Sequence, residues 1–214
     1  SKELAKIVGA SGKIISVDKS SHYIQYIKDN LQKKYPQIIP ICTSFEDLSL
    51  EPNSIDRMFC RWSLAWVQNP NKIIRKIKNY LKKGGKMVFH EYYDWSTHQI
   101  FPFKENIDKC IKTALKSFKE SDFEIDIGAA LPQLLYDMDF NITSTRLMPK
   151  LAKPDSKEWN WPKTFYYNYF PRLVKMGYLN KDDTKEFFED FKSLEKLSYS
   201  RIFCPILIEI VAEK

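Results

Sequence analysis

A doubly wound α/β domain with a mostly parallel sheet follows from two features of the sequence. From Lys13 to Phe89, short apolar runs of strand length alternate with amphipathic stretches of helix length, the pattern of repeated strand–helix–strand units. One of the apolar runs, Ile55–Cys60, then passes directly into Arg61-Trp62-Ser63-Leu64-Ala65-Trp66-Val67. Large side chains therefore gather at the carboxyl end of a strand, which is where open α/β sheets bind ligands.

Taken in order, Ser1–Val8 reads as the end of a helix with Leu4, Ile7 and Val8 on one face, stopped by Gly9. Gly12 turns the chain into a strand that ends at Asp18. Tyr23–Tyr35 has helical periodicity, with Ser20 or Ser21 as its cap and Pro36 as its end. Ile38–Cys42 is a strand, Thr43–Leu48 a loop, and Ile55–Cys60 a parallel strand covered on both faces. Asn69-Pro70 opens a helix whose apolar positions are Ile73, Ile74, Ile77 and Leu81, and Gly84-Gly85 stops it. Lys86–Phe89 is the next strand, with His90–Trp95 at its terminus. Phe101–Phe123 carries Ile107, Ile111, Leu115 and Phe118 at helical spacing and reads as an inserted helical lid. Helices follow at Asp126–Met138, despite Pro132, from Phe165 to about Met176, and at Asp182–Leu197. Phe140–Met148 is a strand, 149–162 a linker, and Ile202–Ala212 one long strand. The whole reads as a single domain of 214 residues: a cofactor-binding part over 1–95, the lid over 96–125, and sheet completion with helices over 126–214.

Composition narrows the class. Hydrophobic residues make up 43% and charged residues 29%, ordinary values for a globular protein. No apolar run approaches the roughly 18 residues of a membrane span, so no membrane partner is expected. The net charge of +7 comes from lysines spread along helical stretches such as Lys72–Lys83 and Lys104–Lys119, which reads as solvated helix faces rather than a nucleic-acid surface. Cys42, Cys60, Cys110 and Cys204 have no paired spacing, and read as reduced, buried thiols of a cytoplasmic protein.

Three places carry chemistry. Asp18 is an acid at a strand tip, able to accept hydrogen bonds from two vicinal ribose hydroxyls, or to stabilise the start of the following helix. Ser44, Phe45 and Glu46 form a loop that can offer polar groups and a ring to a purine, or an ordinary capped turn. His90-Glu91-Tyr92-Tyr93-Asp94-Trp95 is dense in acid/base and aromatic groups. Glu91 or His90 could act as a general base, and Tyr92, Tyr93 and Trp95 could line a pocket for a small apolar or aromatic substrate. His90 and His98 without a spaced third ligand do not make a metal site.

In their order and spacing these motifs resemble the class I S-adenosylmethionine-dependent methyltransferases, in the small-molecule branch similar to ubiquinone- and menaquinone-biosynthesis enzymes. Ile14–Asp18 resembles the strand whose acid binds the cofactor ribose, and Ser44-Phe45-Glu46-Asp47-Leu48 is similar to the Asp-Ala-Glu-Glu-Leu loop that holds adenine. Ser54-Ile55-Asp56, Arg61-Trp62, Asn69-Pro70 and Leu81-Lys82-Lys83-Gly84-Gly85 match further landmarks, with Lys83 in place of the usual Pro. The resemblance covers roughly 1–95 and resumes weakly over 126–148 and 201–213. It implies a Rossmann-like fold with a helical cap and an antiparallel strand near the C-terminus. It also implies S-adenosylmethionine as cofactor and methyl transfer to a small molecule. Cofactor contacts fall to Asp18, Lys19, Ser44, Phe45, Glu46, Arg61 and Trp62, catalysis to Glu91 and Tyr92, and substrate contacts to Tyr93, Trp95 and His98; no metal is implied. One departure stands out: the Gly-x-Gly-x-Gly loop that follows the family's first strand is absent, so the given sequence is expected to start in the helix after that loop, with the first strand missing. Alternatives are a nicotinamide-dependent reductase on a similar sheet, a nucleic-acid methyltransferase and a non-catalytic methyltransferase-like binding protein; the oligomeric state is left open, a dimer included.

Overall fold

The computed structural model describes all 214 residues, which divide into two compact units, Ser1–Glu51 and Pro52–Lys214.

In the first unit, helix α1 (Lys2–Val8) precedes strand β1 (Ile14–Asp18), helix α2 (Ser21–Ile27, continued as a π-helical turn over Lys28–Gln32) and strand β2 (Ile38–Cys42). β1 and β2 pair in parallel, from Ile14 opposite Ile38 to Asp18 opposite Cys42. The core is Ala5, Ile14 and Ile38, flanked by Leu4, Ile27, Leu31 and Tyr35. The Gln37 side chain donates to the carbonyls of Ala5 (3.0 Å) and Gly9 (3.2 Å), satisfying α1's otherwise orphaned last turn. Of the apolar residues of α1, Ala5 is buried, while Ile7 and Val8 are exposed. The small Ala5, not the bulkier Ile7, meets the strands.

The second unit holds strand β3 (Ile55–Arg61), helix α3 (Pro70–Tyr80), strand β4 (Leu81–Asp94), short strand β5 (Gln99–Phe101), helices α4 (Glu105–Lys119) and α5 (Ile127–Tyr136), and strands β6 (Asn141–Met148) and β7 (Leu151–Ala152). Helices α6 (Lys157–Lys175) and α7 (Lys181–Glu195) and strands β8 (Arg201–Phe203) and β9 (Ile206–Glu213) complete it. The main sheet has the order β3-β4-β9-β6: β3 and β4 are parallel, and β9 runs antiparallel to both neighbours. A separate three-stranded sheet, β5-β8-β7, is antiparallel.

Several boundaries depart from the sequence reading for identifiable reasons. α3 ends at Tyr80, and Gly84-Gly85 lies within β4 rather than stopping the helix. Ile55 pairs with Leu81 but Arg57 with Lys86, so the glycines form a bulge. Gly84 has φ 73°, and a Cβ on Gly85 would sit 2.8 Å from the Lys82 carbonyl oxygen. β4 therefore runs on through His90–Asp94, which lie within the strand and not beyond its terminus. β3 is not covered on both faces: Cys60 is buried but Phe59 is 44% exposed. The 149–162 stretch is not a linker but contains β7 and the first turns of α6, capped by the Ser156 side chain accepting from the Trp159 N–H at 3.2 Å. The 202–212 strand is two strands, broken where Pro205 supplies no N–H. Cys42 is exposed; the other three cysteines are buried, and all four are free thiols.

Two packing arrangements place the site. α4, α6 and α7 enclose a ring-rich core of Trp159, Tyr166, Phe170, Phe187 and Phe191, all within 1% of complete burial. α5 lies against β4 through Gly128, where a Cβ would fall 2.5 Å from the Tyr92 carbonyl oxygen and 2.7 Å from Ile208 Cγ2. Gly→Ala in an open helix stabilises by about 1 kcal/mol. Gly128→Ala is instead expected to destabilise by about 1–3 kcal/mol, because a backbone carbonyl cannot swing aside as a side chain can. Urea midpoints of the two proteins check this.

Candidate functional site

In the first unit, Asp18 ends β1 half-buried. Its Oδ1 accepts the Ser20 N–H at 2.8 Å, while Oδ2 is not engaged. Lys19 beside it is exposed. After β2, Ser44 Oγ bonds Asp47 Oδ2 at 2.8 Å and accepts the Asp47 N–H at 3.1 Å, a local capped turn that leaves Phe45 half-buried and Glu46 exposed. The first unit thus has an acidic strand end and a ring-bearing turn at the carboxyl ends of two adjacent parallel strands.

In the second unit, the carboxyl ends of β3 and β4 bring Arg61, Trp62, Glu91 and Tyr92 together. Trp62 has φ 52°, a conformation that costs a bulky residue about 1–2 kcal/mol. Three hydrogen bonds hold it. The Trp62 N–H donates to the His90 carbonyl at 3.1 Å, and the N–H groups of Ser63 (3.0 Å) and Leu64 (3.2 Å) both donate to Glu91 Oε1. The Cys60 thiol donates to the same oxygen at 3.4 Å. Glu91 is completely buried and its Oε2 has no partner. Burial raises its carboxyl pKa, against the opposing pull of the backbone N–H groups. Burial likewise pushes the Cys60 thiol well up, so it stays a donor.

The Trp62 indole lies parallel to the Tyr92 ring (2°, centroids 5.8 Å apart) and stacks on Trp161 (27°, 5.3 Å). The Arg61 guanidinium sits 3.9 Å over the Trp62 ring, a cation–π contact at the solvent side. Trp62 Nε1 is buried without a partner. Tyr92 is 6% exposed, and burial raises its hydroxyl pKa, so it remains a protonated donor. Tyr93, at the irregularity of β4 between Tyr92 and Asp94, is exposed. His90, which alternates with Glu91 onto the other face of the strand, pairs with Glu209 at 2.7 Å.

Trp95 follows in a 3-10 turn and is buried against Tyr92 (5.8 Å), Phe118 and Phe165, with its backbone N–H on Asp126 Oδ1 at 2.8 Å. Together with His98, Ile100, Ile107 and Ile111 it lines a cavity of about 250 Å³. His98 Nδ1 is 2.9 Å from the Phe203 carbonyl, which can only accept, so the imidazole carries its proton on Nδ1 and Nε2 accepts from the Tyr166 hydroxyl. Burial drops the His98 pKa to about 4. No group of three or more metal-ligating side chains is present.

Trp161 was hidden in the sequence, because Pro162 made its surroundings look like a linker. The visible signal was Ser156, three residues before Trp159 and followed by Glu158, an N-cap pattern. Tyr166, the partner of His98, belonged to an aromatic run that periodicity could place in a core but not on a histidine.

The parallel β3–β4 pair, with β9 antiparallel beside β4, makes a mixed Rossmann-like α/β sheet. The chain superposes on a Bacillus halodurans protein assigned as a methyltransferase, with TM-score 0.61, 11% identity, and coverage of 94% of this chain and 83% of the other. It also superposes on a Haemonchus contortus phosphoethanolamine N-methyltransferase solved with S-adenosylhomocysteine (TM-score 0.54, 15% identity, 94% and 43% covered). A third match, the [4+2]-cyclase SpnF (TM-score 0.54, 13% identity, 95% and 66% covered), shows that the fold also carries other chemistry.

Residues 1–89 match the methyltransferase domain family. A Nostoc punctiforme 2-phytyl-1,4-naphthoquinone methyltransferase is 27% identical over 104 residues, 48% of this chain and 45% of the relative. The chain thus spans about half the length of the curated relative it matches.

Proposed function

We propose that this protein transfers a methyl group from S-adenosylmethionine to a small-molecule acceptor. The observation that carries the reading is the family match over 1–89, a span containing Asp18, Lys19, Ser44, Phe45, Glu46, Arg61 and Trp62. These residues fit the cofactor chemically. Asp18 has a free carboxylate oxygen for ribose hydroxyls. Phe45 offers a ring face, with Ser44 and Glu46 beside it, to adenine, and the exposed Lys19 adds a positive charge near the Asp18 strand end. Arg61, held 3.9 Å over the Trp62 ring, offers guanidinium N–H donors to the carboxylate of an amino-acid end.

When bound, the cofactor supplies a sulfonium methyl open to in-line displacement. The protein's task is then to hold the acceptor in line and exclude water. Tyr92, as a protonated hydroxyl, orients an acceptor oxygen by donating to it. Trp95 and His98 place the acceptor's apolar part in the cavity they line, and the exposed Tyr93, outside that cavity, is assigned a further contact with the acceptor. An acceptor of flat, apolar type agrees with these surroundings and with the naphthoquinone substrate in the Nostoc relative's name. A small molecule rather than nucleic acid, and a cytoplasmic location, complete the reading. The free cysteines support the location.

Calorimetric titration of S-adenosylhomocysteine into the protein tests it. Saturable binding that weakens at least about tenfold in Arg61→Ala or Asp18→Ala supports the assignment, tenfold being 1.4 kcal/mol. No binding at millimolar ligand overturns it.

A further inference from the structure

We infer that Glu91 is a positioning residue: its carboxylate fixes the Arg61–Trp62 turn in the conformation that presents guanidinium and indole together to the ligand. This rests on the methyl-transfer reading above and assigns Glu91 a role exerted through the turn rather than on the reacting atoms.

The argument begins with backbone accounting. Residues 62, 63 and 64 leave β3 in a turn that turns three successive N–H groups toward β4. Two successive β4 residues receive them: the His90 carbonyl takes the first and Glu91 Oε1 takes the other two. Ser63 and Leu64 lie in a buried or half-buried setting, and nothing else accepts from their N–H groups. These two bonds to a buried carboxyl oxygen offset the strain of holding Trp62 at positive φ. Without the acceptor the turn loses that compensation and relaxes toward negative φ, which swings the indole off Tyr92 and Trp161.

The result of the clamp is a layered surface. Tyr92 and Trp161 form its floor, Trp62 lies on both, and Arg61 lies on Trp62. Tyr92 follows Glu91 on the same strand, so one two-residue segment of β4 supplies both the clamp and the floor. The thiol of Cys60 adds a third donor to Oε1 from within β3, tying the clamp to the strand that leads into the turn. With Oε1 taken by three donors and the whole side chain out of solvent, Glu91 meets the ligand only by what it does to Trp62 and Arg61.

The stacked Trp62–Trp161 pair provides a readout that overall stability does not move, an exciton signal in the far-ultraviolet circular dichroism, identified by its loss in Trp161→Phe. Glu91→Gln keeps an acceptor oxygen and is expected to retain the signal, with S-adenosylhomocysteine affinity within about threefold of the parent. Glu91→Leu fills the volume but removes the acceptor. It is expected to lose the signal and to bind at least about tenfold more weakly, while still unfolding cooperatively. If Glu91→Leu keeps both signal and affinity, or if Glu91→Gln loses both, the inference is overturned; should Glu91→Leu not fold, the Glu91→Gln result decides. A parent protein that shows the exciton signal but does not bind the ligand fails the methyl-transfer reading. The signal in the two variants then decides the Glu91 clamp separately.

Discussion

Phe187→Ala is expected to lower the unfolding free energy by about 3–5 kcal/mol, the cost of removing a fully buried ring and leaving a cavity. Phe187 is 0% exposed. Its ring meets Phe170 edge-on at 4.6 Å, Tyr166 at 5.0 Å and Phe188 at 5.4 Å, and is parallel to Phe191 at 5.9 Å. These partners come from both α6 and α7, so the ring joins two helices and its loss cannot be absorbed by one of them. Edge-to-face pairs are worth about 0.5–1.5 kcal/mol beyond area burial. Phe187→Leu should therefore cost clearly less than the alanine variant, since it keeps most of the volume and loses the ring geometry. Urea denaturation followed by circular dichroism measures both. Equal costs for leucine and alanine would mean that ring geometry, and not cavity volume, dominates.

That aromatic core shows where sequence reasoning works and where it stops. Helical periodicity placed Ile107, Ile111 and Phe118 on the buried face of α4, because those positions repeat every three or four residues regardless of what they touch. Asn69-Pro70 marked the start of α3 for an equally local reason: the Asn69 side chain accepts the Lys72 N–H, and Pro at N1 lacks only a donor the helix does not use. Features set by a neighbouring element were not legible. Gly84-Gly85 has the composition of a helix stop, and only the pairing of Ile55 with Leu81 makes it a bulge. Gly128 reads as an indifferent helix residue until the Tyr92 carbonyl lies against it. The site divides in the same way. Arg61, Trp62, Glu91 and Tyr92 were visible as chemistry at strand ends. That Glu91 spends Oε1 on two backbone N–H groups, and that Trp161 arrives from α6, depends on β3 and β4 being neighbours and on a helix a hundred residues downstream.

His98 is expected to make the protein lose stability as pH falls from about 6.5 to about 4. The group is buried with a folded pKa of about 4, against 6.5 for an ordinary imidazole. In this window the unfolded chain takes up a proton that the native protein refuses, so protons favour unfolding; above pH 6.5 neither state is protonated and the full stability is present. A depression from 6.5 to about 4 corresponds to about 3 kcal/mol lost by pH 4. The geometry explains the refusal: Nδ1–H is already given to the Phe203 carbonyl and Nε2 is occupied accepting from Tyr166, whose hydroxyl would have to turn away from an added proton. Glu91 acts in the opposite sense. Its raised carboxyl pKa means the native state binds a proton more readily than the unfolded chain, so its contribution grows as pH falls through the range above the ordinary carboxylate value of 4.5. The two must be separated by difference. His98→Asn keeps a donor for the Phe203 carbonyl, loses the acceptor for Tyr166, and does not titrate. At pH 7.5 it is expected to be less stable than the parent by about 1–3 kcal/mol, the cost of an unpaired buried hydroxyl. That gap is expected to close as pH falls toward 4.5, because only the parent pays the protonation penalty. Urea midpoints across the range measure the gap directly. A gap that stays constant with pH would place the His98 pKa in the ordinary range and would mean that solvent reaches the Tyr166 pair.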